Sequence, residues 1–361
     1  MTEITEMRVG RADMTATEVS RRPAPALEEG QVLVAVERFS LTANNVSYAL
    51  TGDMLGYWGF FPAPEGWGHV PVWGFGEVVA SRCPDVPVGD RLFGYFTTAS
   101  HVVLQPKDVT AGALTDAAPH RAQFSPFYNG YRRVGGDPPA LTGLEDERCI
   151  YHPLFMTAFL IADHIEASDR WGATQAVIGS ASSKTALGLA KLLARGATPM
   201  KIIGVTSPGN RAFTEGLGCY DQVIDYGAVG QTPVAPTVYV DMSGNRALTT
   251  QLHHHLGAEM KQSIGVGATH WRGGGPPEAT DDLPGAKPGF FFAPTQAEQR
   301  AAEWGADTLM SRAYDALISL TTETKGQIEI SHLSGADAVS RAWGDLLENR
   351  VAPSQALMAK V

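Results

Sequence analysis

Along residues 31–42, QVLVAVERFSLT, apolar and polar positions alternate, the period-two pattern of a half-buried strand. Residues 76–80, 88–94 and 98–104 read as further short strands with turn residues between them, which predicts a small barrel-like β unit. From 154 to 165 the apolar spacing becomes helical. The run Ala176-Val177-Ile178 then gives a strand, and Gly179-Ser180-Ala181-Ser182-Ser183 a tight turn of small residues. Lys184-Thr185 opens a helix carried by Ala186, Leu189, Ala190 and Leu193. Strands at 201–207, 222–226, 237–241, 262–268 and 289–293 follow, with helices around Phe213 and Leu217 and over 246–256. Such alternation predicts a parallel, doubly wound sheet. The rest reads as a helix from 296 to about 320, a strand at 327–330, a helix over 334–349 and a strand at 356–361. Residues 105–148, rich in Pro, Gly and aromatics, have no clear period and predict an irregular connection.

Composition narrows the function classes. The chain has 361 residues, enough for two or three domains. It is 44% hydrophobic and 18% charged, so it has a large core and no long disordered arms. A net charge of -10 excludes the basic footprint of a nucleic-acid binder. No run reaches the roughly 18 apolar residues of a membrane helix. The charged start MTEITEMRVGRADM lacks a secretory core, so a cytoplasmic protein is expected. Cys83, Cys149 and Cys219 lie far apart, and neither a disulfide framework nor a cysteine zinc site is expected.

The turn at 179–185 is the first candidate for chemistry. A strand running through small residues into a helix aims backbone N–H groups and the positive helix end at one point, where phosphate binds. Small side chains let the phosphate approach. Neither the G-x-G-x-x-G dinucleotide fingerprint nor the G-x-x-x-x-G-K-[ST] loop is complete. A dinucleotide, a nucleoside triphosphate held by Lys184-Thr185, and a plain turn with a serine N-cap all remain open.

The order of elements, β-rich unit, nucleotide-type sheet, return to the first unit, resembles the medium-chain dehydrogenases/reductases. The tail carries it best: Ile328-Glu329-Ile330-Ser331-His332-Leu333, Gly335-Ala336-Asp337-Ala338, and Ala356-Leu357-Met358-Ala359-Lys360-Val361. Val88-Gly89-Asp90-Arg91-Leu92-Phe93-Gly94 resembles the family's VGDRV-type turn, and Thr157-Ala158 its Thr-Ala pair. Residues 44–52 resemble the N-P-V-D…Y…G segment of the zinc-independent quinone reductases. The resemblance implies a GroES-like barrel domain over 1–147, a Rossmann domain over 148–295 and a return to the barrel over 296–361. It implies an NADP(H)-dependent reductase of an activated C=C or C=O in a small molecule, acting as a homodimer. A non-redox lyase, isomerase or NADPH sensor on the same fold is the alternative, because fold does not fix function. The zinc branch has a cysteine near 45 and a Gly-His-Glu. Here Asn45 stands, and Gly68-His69 is followed by Val70, so no metal is expected and His69 reads as a hydrogen-bonded structural histidine.

Individual residues follow. The phosphate cradle comprises Ser180, Ala181, Ser182, Ser183, Lys184 and Thr185. At the second strand's end, Thr206, Ser207, Asn210 and Arg211 offer hydroxyls, an amide and a guanidinium without a carboxylate, which suits the 2′-phosphate of NADP(H). Ser243, Gly244, Gly267 and Thr269 follow further strands, where parallel sheets bind ligands. By resemblance, Thr157 and the backbone near Phe291 also touch the cofactor. Asn44 and Tyr48 are, by resemblance, the groups that contact substrate or nicotinamide, with Tyr48 able to donate a proton or polarise a carbonyl. Tyr57 and Trp58 are expected to wall a pocket for a flat or apolar substrate. His152 and His270 are possible proton relays. The run His253-His254-His255 is read as a solvated helix end, since adjacent helical positions point apart.

Overall fold

The computed structural model describes residues 2–196, 200–266 and 282–361. Two compact units emerge: Met1–His152 with Ile328–Val361, and Pro153–Gln327. The boundaries expected from the sequence lie at 147/148 and 295/296. The helices after 292 lie within the second unit, and the return to the first begins at Ile328.

The first unit holds strands β1 (Glu3–Gly10), β2 (Thr17–Pro23), β3 (Val32–Leu41), β4 (Trp67–Gly68), β5 (Pro71–Ser81), β6 (Arg91–Thr97), β7 (His101–Leu104), β8 (Pro106–Lys107), β9 (Ala113–Asp116) and β10 (Gly130–Arg133). Helix α1 (Ala43–Leu50) sits between β3 and β4 in sequence. The alternating stretch at 31–42 becomes β3, the centre of the larger sheet. It pairs antiparallel with β5 (Val34 opposite Val78) and with β7 (Val34 opposite Val102). The core is aromatic: Phe39, Phe75, Phe93, Tyr95, Phe96 and Tyr131 are fully buried. The expected irregular stretch at 105–148 contains β8–β10 and short 3₁₀ turns opened by Pro119, Pro126 and Pro139. Proline presets φ for such turns, so the chain changes direction without a period.

Helix α2 (Glu145–Ala167) runs from the first unit into the second, and the units divide inside it at Pro153. Proline cannot donate to the carbonyl four residues back. That carbonyl, Cys149 O, instead accepts the Ser40 hydroxyl at 2.6 Å. Acidic Glu145 and Asp146 stand in the helix's first turn, where the dipole favours them.

The second unit is a six-stranded sheet of β11 (Gln175–Gly179), β12 (Lys201–Thr206), β13 (Gln222–Asp225), β14 (Thr237–Asp241), β15 (Met260–Gly265) and β16 (Pro288–Phe290). The order is β13-β12-β11-β14-β15-β16 and every neighbouring pair is parallel. This is the doubly wound arrangement the alternation predicts. Helices α3 (Lys184–Ala194), α4 (Arg211–Gly216) and α5 (Arg246–Leu256) follow β11, β12 and β14. Val177, Ile203, Val205, Ile224, Tyr239, Leu248 and Leu252 share one buried cluster. On α3, Gly188 lies against α2: a Cβ there would meet Phe155 at 2.7 Å, too close for a real side chain. The helix expected from 296 to about 320 is two, α6 (Ala293–Trp304) and α7 (Ala306–Thr324). They break at Gly305, whose φ of 84° lies where side chains rarely go. Strand β17 (Glu329–Ser334), helix α8 (Ala336–Leu347) and strand β18 (Gln355–Lys360) complete the first unit, with β18 antiparallel to β3.

Candidate functional site

In the second unit the turn between β11 and α3 is tight and nearly free of bulk. Ser180 adopts φ 53°, the left-handed region that a glycine usually fills. Ala181 N donates to Val205 O at 3.0 Å and Ser183 N to Ser180 O at 2.8 Å, which fixes the turn. Ser183 is the N-cap of α3, its hydroxyl accepting from Ala186 N at 3.3 Å. The remaining first-turn amides of a helix have no intrahelical acceptor, so the geometry suits an anion. Lys184 starts the helix half-buried, and desolvation pushes its ammonium down to about 8. The phenol of Tyr226 bonds Ser180, and burial pushes it up to about 12.

The end of β12 meets this turn. Ser182 is buried, and its hydroxyl accepts from Thr206 Oγ1 at 3.4 Å and from Asn210 Nδ2 at 3.3 Å. Ser207 leads into the 3₁₀ turn Pro208–Asn210. Thus the structure brings together Ser182, Thr206 and Asn210 from both predicted groups. Arg211 departs from the expectation. Its Nε stands 2.9 Å from Glu215 Oε1 and its Nη1 3.4 Å from Asp225 Oδ2. These carboxylates hold its pKa above the ordinary value. A carboxylate is therefore present at this corner, supplied by β13 instead of by the segment after β12.

At the end of β14, Ser243 is buried and Gly244 half-buried. Ser243 N, Ser243 Oγ and Gly244 N all donate to Asp241 Oδ1, at 2.8, 2.5 and 3.1 Å. Burial raises the pKa of that carboxyl although these donors oppose it. Asn245 caps α5 by accepting from Leu248 N at 3.1 Å. The Thr157 hydroxyl is spent on Pro153 O at 2.8 Å. Phe291 is buried with its ring 5.7 Å from His164, and its N donates to Gly265 O at 2.8 Å. Gly267, Thr269 and His270 lie outside the described residues. The histidine run is only partly solvated. His253 is fully buried between Pro284 O and Ser263 Oγ at 2.9 and 3.0 Å, His255 bonds Thr232 O at 2.8 Å, and His254 is exposed. The helical spacing that separates the three rings also turns one of them into the core.

In the first unit, Asn44 and Tyr48 stand one turn apart on α1. The buried Tyr48 hydroxyl accepts from Trp73 Nε1 at 3.3 Å and also bonds Asn44 and Tyr128. Tyr128 in turn meets Tyr57 at 2.9 Å between hydroxyls. Burial raises the pKa of Tyr48, Tyr57 and Tyr128. Tyr57 and Trp58 are both buried. Trp58 fills the space over Gly52 and Gly68, where a Cβ would meet it at 2.2 and 2.4 Å. His152 lies between Trp73 and Phe93, centroids 4.6 and 5.0 Å away. Burial, then the Arg148 and Arg132 charges, push it down to about 3, so it is neutral at physiological pH.

Buried ion clusters escape a reading by motif. Glu6, nearly without exposure, pairs with Arg8 and Arg22 at 2.7 Å each and faces His69 Nε2 at 3.5 Å. His69 Nδ1 meets Phe61 O at 3.3 Å, consistent with a hydrogen-bonded histidine. Arg121 is buried with Nε 3.0 Å from Asp116 Oδ2 and its guanidinium 4.6 Å from the Phe61 centroid. Isolated charges in a Pro-rich segment carry no spacing signal, so nothing in the sequence foretells this pair. Among the described residues no group of three His, Cys, Asp or Glu side chains gathers in a metal-binding arrangement.

Comparison with known proteins bears on the fold. CurA from Vibrio vulnificus is 14% identical, with 100% of this chain and 99% of that one covered and a TM-score of 0.60. The yhdH oxidoreductase from Salmonella enterica, solved in complex with NADP, is 14% identical over 99% of each chain, TM-score 0.56. Mycobacterial Rv1454c, solved with NADPH, is 15% identical over 99% of this chain and 100% of its own, TM-score 0.61. The chain therefore shares the fold of these three proteins. No curated protein matches the chain in sequence. One family does, over residues 39–352, and the chain belongs to it: the family described as "Protein of unknown function (DUF2855)".

Proposed function

We propose that this chain is an NADP(H)-dependent, zinc-independent oxidoreductase acting on an activated C=C or C=O of a small molecule such as an enone, a quinone or another carbonyl compound. The observation that carries the proposal is the junction of the β11–α3 turn with the end of β12. There the hydroxyls of Ser182 and Thr206 and the Asn210 amide meet beside the N-terminus of α3. Small side chains, a left-handed Ser180 and the positive end of α3 fit a pyrophosphate. The two structural neighbours crystallised with NADP or NADPH share the fold and support the same reading.

When bound, NADPH supplies a hydride from its nicotinamide. In this proposal Ser180–Ser183 and the first turn of α3 hold the pyrophosphate, Lys184 adds a positive charge, and Thr206, Ser207, Asn210 and Arg211 face the adenosine end. Asn44 and Tyr48 are the proposed substrate-contacting pair. Burial keeps the Tyr48 phenol protonated, so it offers a hydrogen bond to a developing enolate or alkoxide and does not act as a base. Tyr57 and Trp58, being buried, would shape that surface from beneath. A homodimer and a cytoplasmic location belong to the same reading, and a monomer in sedimentation would remove the first.

The test is a titration with NADPH and NADH, followed by NADPH oxidation over a panel of enones and quinones after prolonged chelation. The proposal expects binding of NADPH and turnover of at least one acceptor without metal. No dinucleotide binding at millimolar concentration, or activity restored only by zinc, would contradict it. Binding without oxidation across the panel would favour a non-redox protein on this fold.

A further inference from the structure

The corner where β12 and β13 end is more acidic than the segment after β12 suggests. Thr206 and Asp225 are register partners across the parallel ladder. The Asp225 carboxylate therefore stands at the same strand ends as the Ser182–Thr206–Asn210 cluster. Its Oδ2 holds Arg211 Nη1 at 3.4 Å, while Glu215 Oε1 holds Arg211 Nε at 2.9 Å. Its Oδ1 is buried and accepts no hydrogen bond from the described residues. One guanidinium against two carboxylates leaves the trio with a net negative charge. A phosphate monoester carries nearly two negative charges near neutral pH.

We propose that Asp225 sets this chain's choice between NADPH and NADH by holding Arg211 away from the 2′-phosphate. This rests on the reading of the second unit as a dinucleotide site. Exposed ion pairs are weak, and Arg211 is 42% exposed, so a 2′-phosphate can draw the guanidinium off Asp225. Each binding event then has to break that pair and face the carboxylate left behind. NADH lacks the phosphate and meets neither cost. Asp225 is thus a positioning residue that acts through Arg211 and moderates a preference that Arg211, Thr206 and Asn210 would otherwise make steeper.

The experiment measures dissociation constants of NADPH, NADH, 2′,5′-ADP and 5′-AMP by titration for the wild type, Asp225→Asn, Asp225→Glu, Glu215→Gln and Arg211→Ala, with circular dichroism on each. Asp225→Asn should tighten NADPH and 2′,5′-ADP at least about fivefold and leave NADH and 5′-AMP within about twofold, the asymmetry expected of a single charge removed near a dianion. Asp225→Glu should keep the wild-type ratio. Glu215 is half exposed on α4, so Glu215→Gln tests the same logic without disturbing the core and should move the ratio the same way by a smaller factor. An unchanged NADPH/NADH ratio in folded Asp225→Asn and Glu215→Gln would overturn the proposal. Arg211→Ala separates the two levels of the argument. If it weakens NADPH while the acidic variants change nothing, the inference fails and the cofactor reading stands. If no variant, nor the wild type, binds either dinucleotide, the cofactor reading itself fails and takes the inference with it.

Discussion

The turn between β11 and α3 and the aromatic cluster around Tyr48 were both marked from sequence as candidate chemistry, and they are built in opposite ways. Around the turn the side chains are small and polar, with Ser182 and Thr206 buried and Asn210 half-buried, and they come from strand ends: Ser182 from one, Thr206 and Asn210 from another. Around Tyr48 the side chains are large, sealed and mutually packed: Tyr57, Tyr95, Tyr128 and Trp73 all have ring centroids within about 6 Å of at least one other. The buried polar groups of the cluster serve one another. Rings that interdigitate at crystal-like density contribute to stability, and hydroxyls left at the mouth of a parallel sheet are available to a ligand. The two regions should accordingly part when stability and dinucleotide binding are measured side by side.

The largest effect is expected in the first unit. Arg121→Met leaves Asp116 buried without its cation, and loss of one partner of a buried pair costs about 3–5 kcal/mol. Urea denaturation should show this loss, with dinucleotide affinity unchanged in the fraction that stays folded. A stability change below about 1 kcal/mol would mean the pair is solvated and the segment around it loosely packed. Next, Tyr48→Phe keeps the ring but strips the acceptor from Trp73 Nε1. It should destabilise by about 1–2 kcal/mol and leave the NADPH dissociation constant unaltered. Turnover should fall further than that stability loss explains, because the Tyr48 phenol is the proposed hydrogen-bond donor to the substrate, and turnover that only tracks the stability loss would remove that role.

The smallest effect belongs to Lys184. Its ammonium titrates near 8 in the fold against 10.5 for the free side chain. The depressed value means the folded chain prefers the neutral amine, so Lys184 makes the fold more stable as pH rises from about 8 to 10.5. Phosphate binding runs the other way, because the cation is present below the folded pKa and lost above it. NADPH affinity should fall by about three- to fivefold as pH climbs through 8, and Lys184→Met should flatten that step. A step that persists in the variant would assign it to another group.

Much of this contrast was legible in the sequence, for reasons that differ by region. The strand-turn-helix at 175–195 appears as read, and α5 occupies residues 246–256 as the spacing predicts, because local periodicity decides both. The break at Gly305 was not read, since a single glycine inside a helical pattern is usually tolerated. The stretch at 105–148 was opaque because its turns are set by prolines and by aromatic partners far away in sequence. Phe124, for instance, packs against Gly56 and Gly59, where a Cβ would meet it at 2.6 and 2.0 Å. Asp225 was overlooked as a partner of Arg211 because a parallel ladder joins residues that sequence keeps apart. Tyr57 and Trp58 could not be told from pocket walls, since an aromatic ring reads alike whether it faces a ligand or the core.

Ser183→Asp tests most directly whether the β11–α3 turn cradles the cofactor's phosphate. Aspartate caps a helix as well as serine does and suits the positive end of α3, so folding stability should stay within about 0.5 kcal/mol of the wild type. The same carboxylate places a negative charge where the phosphate would sit. NADPH titration of the folded variant should show at least a tenfold weaker affinity, about 1.4 kcal/mol or more. Wild-type affinity in a folded Ser183→Asp protein would contradict a phosphate cradle there and leave the turn as ordinary scaffold.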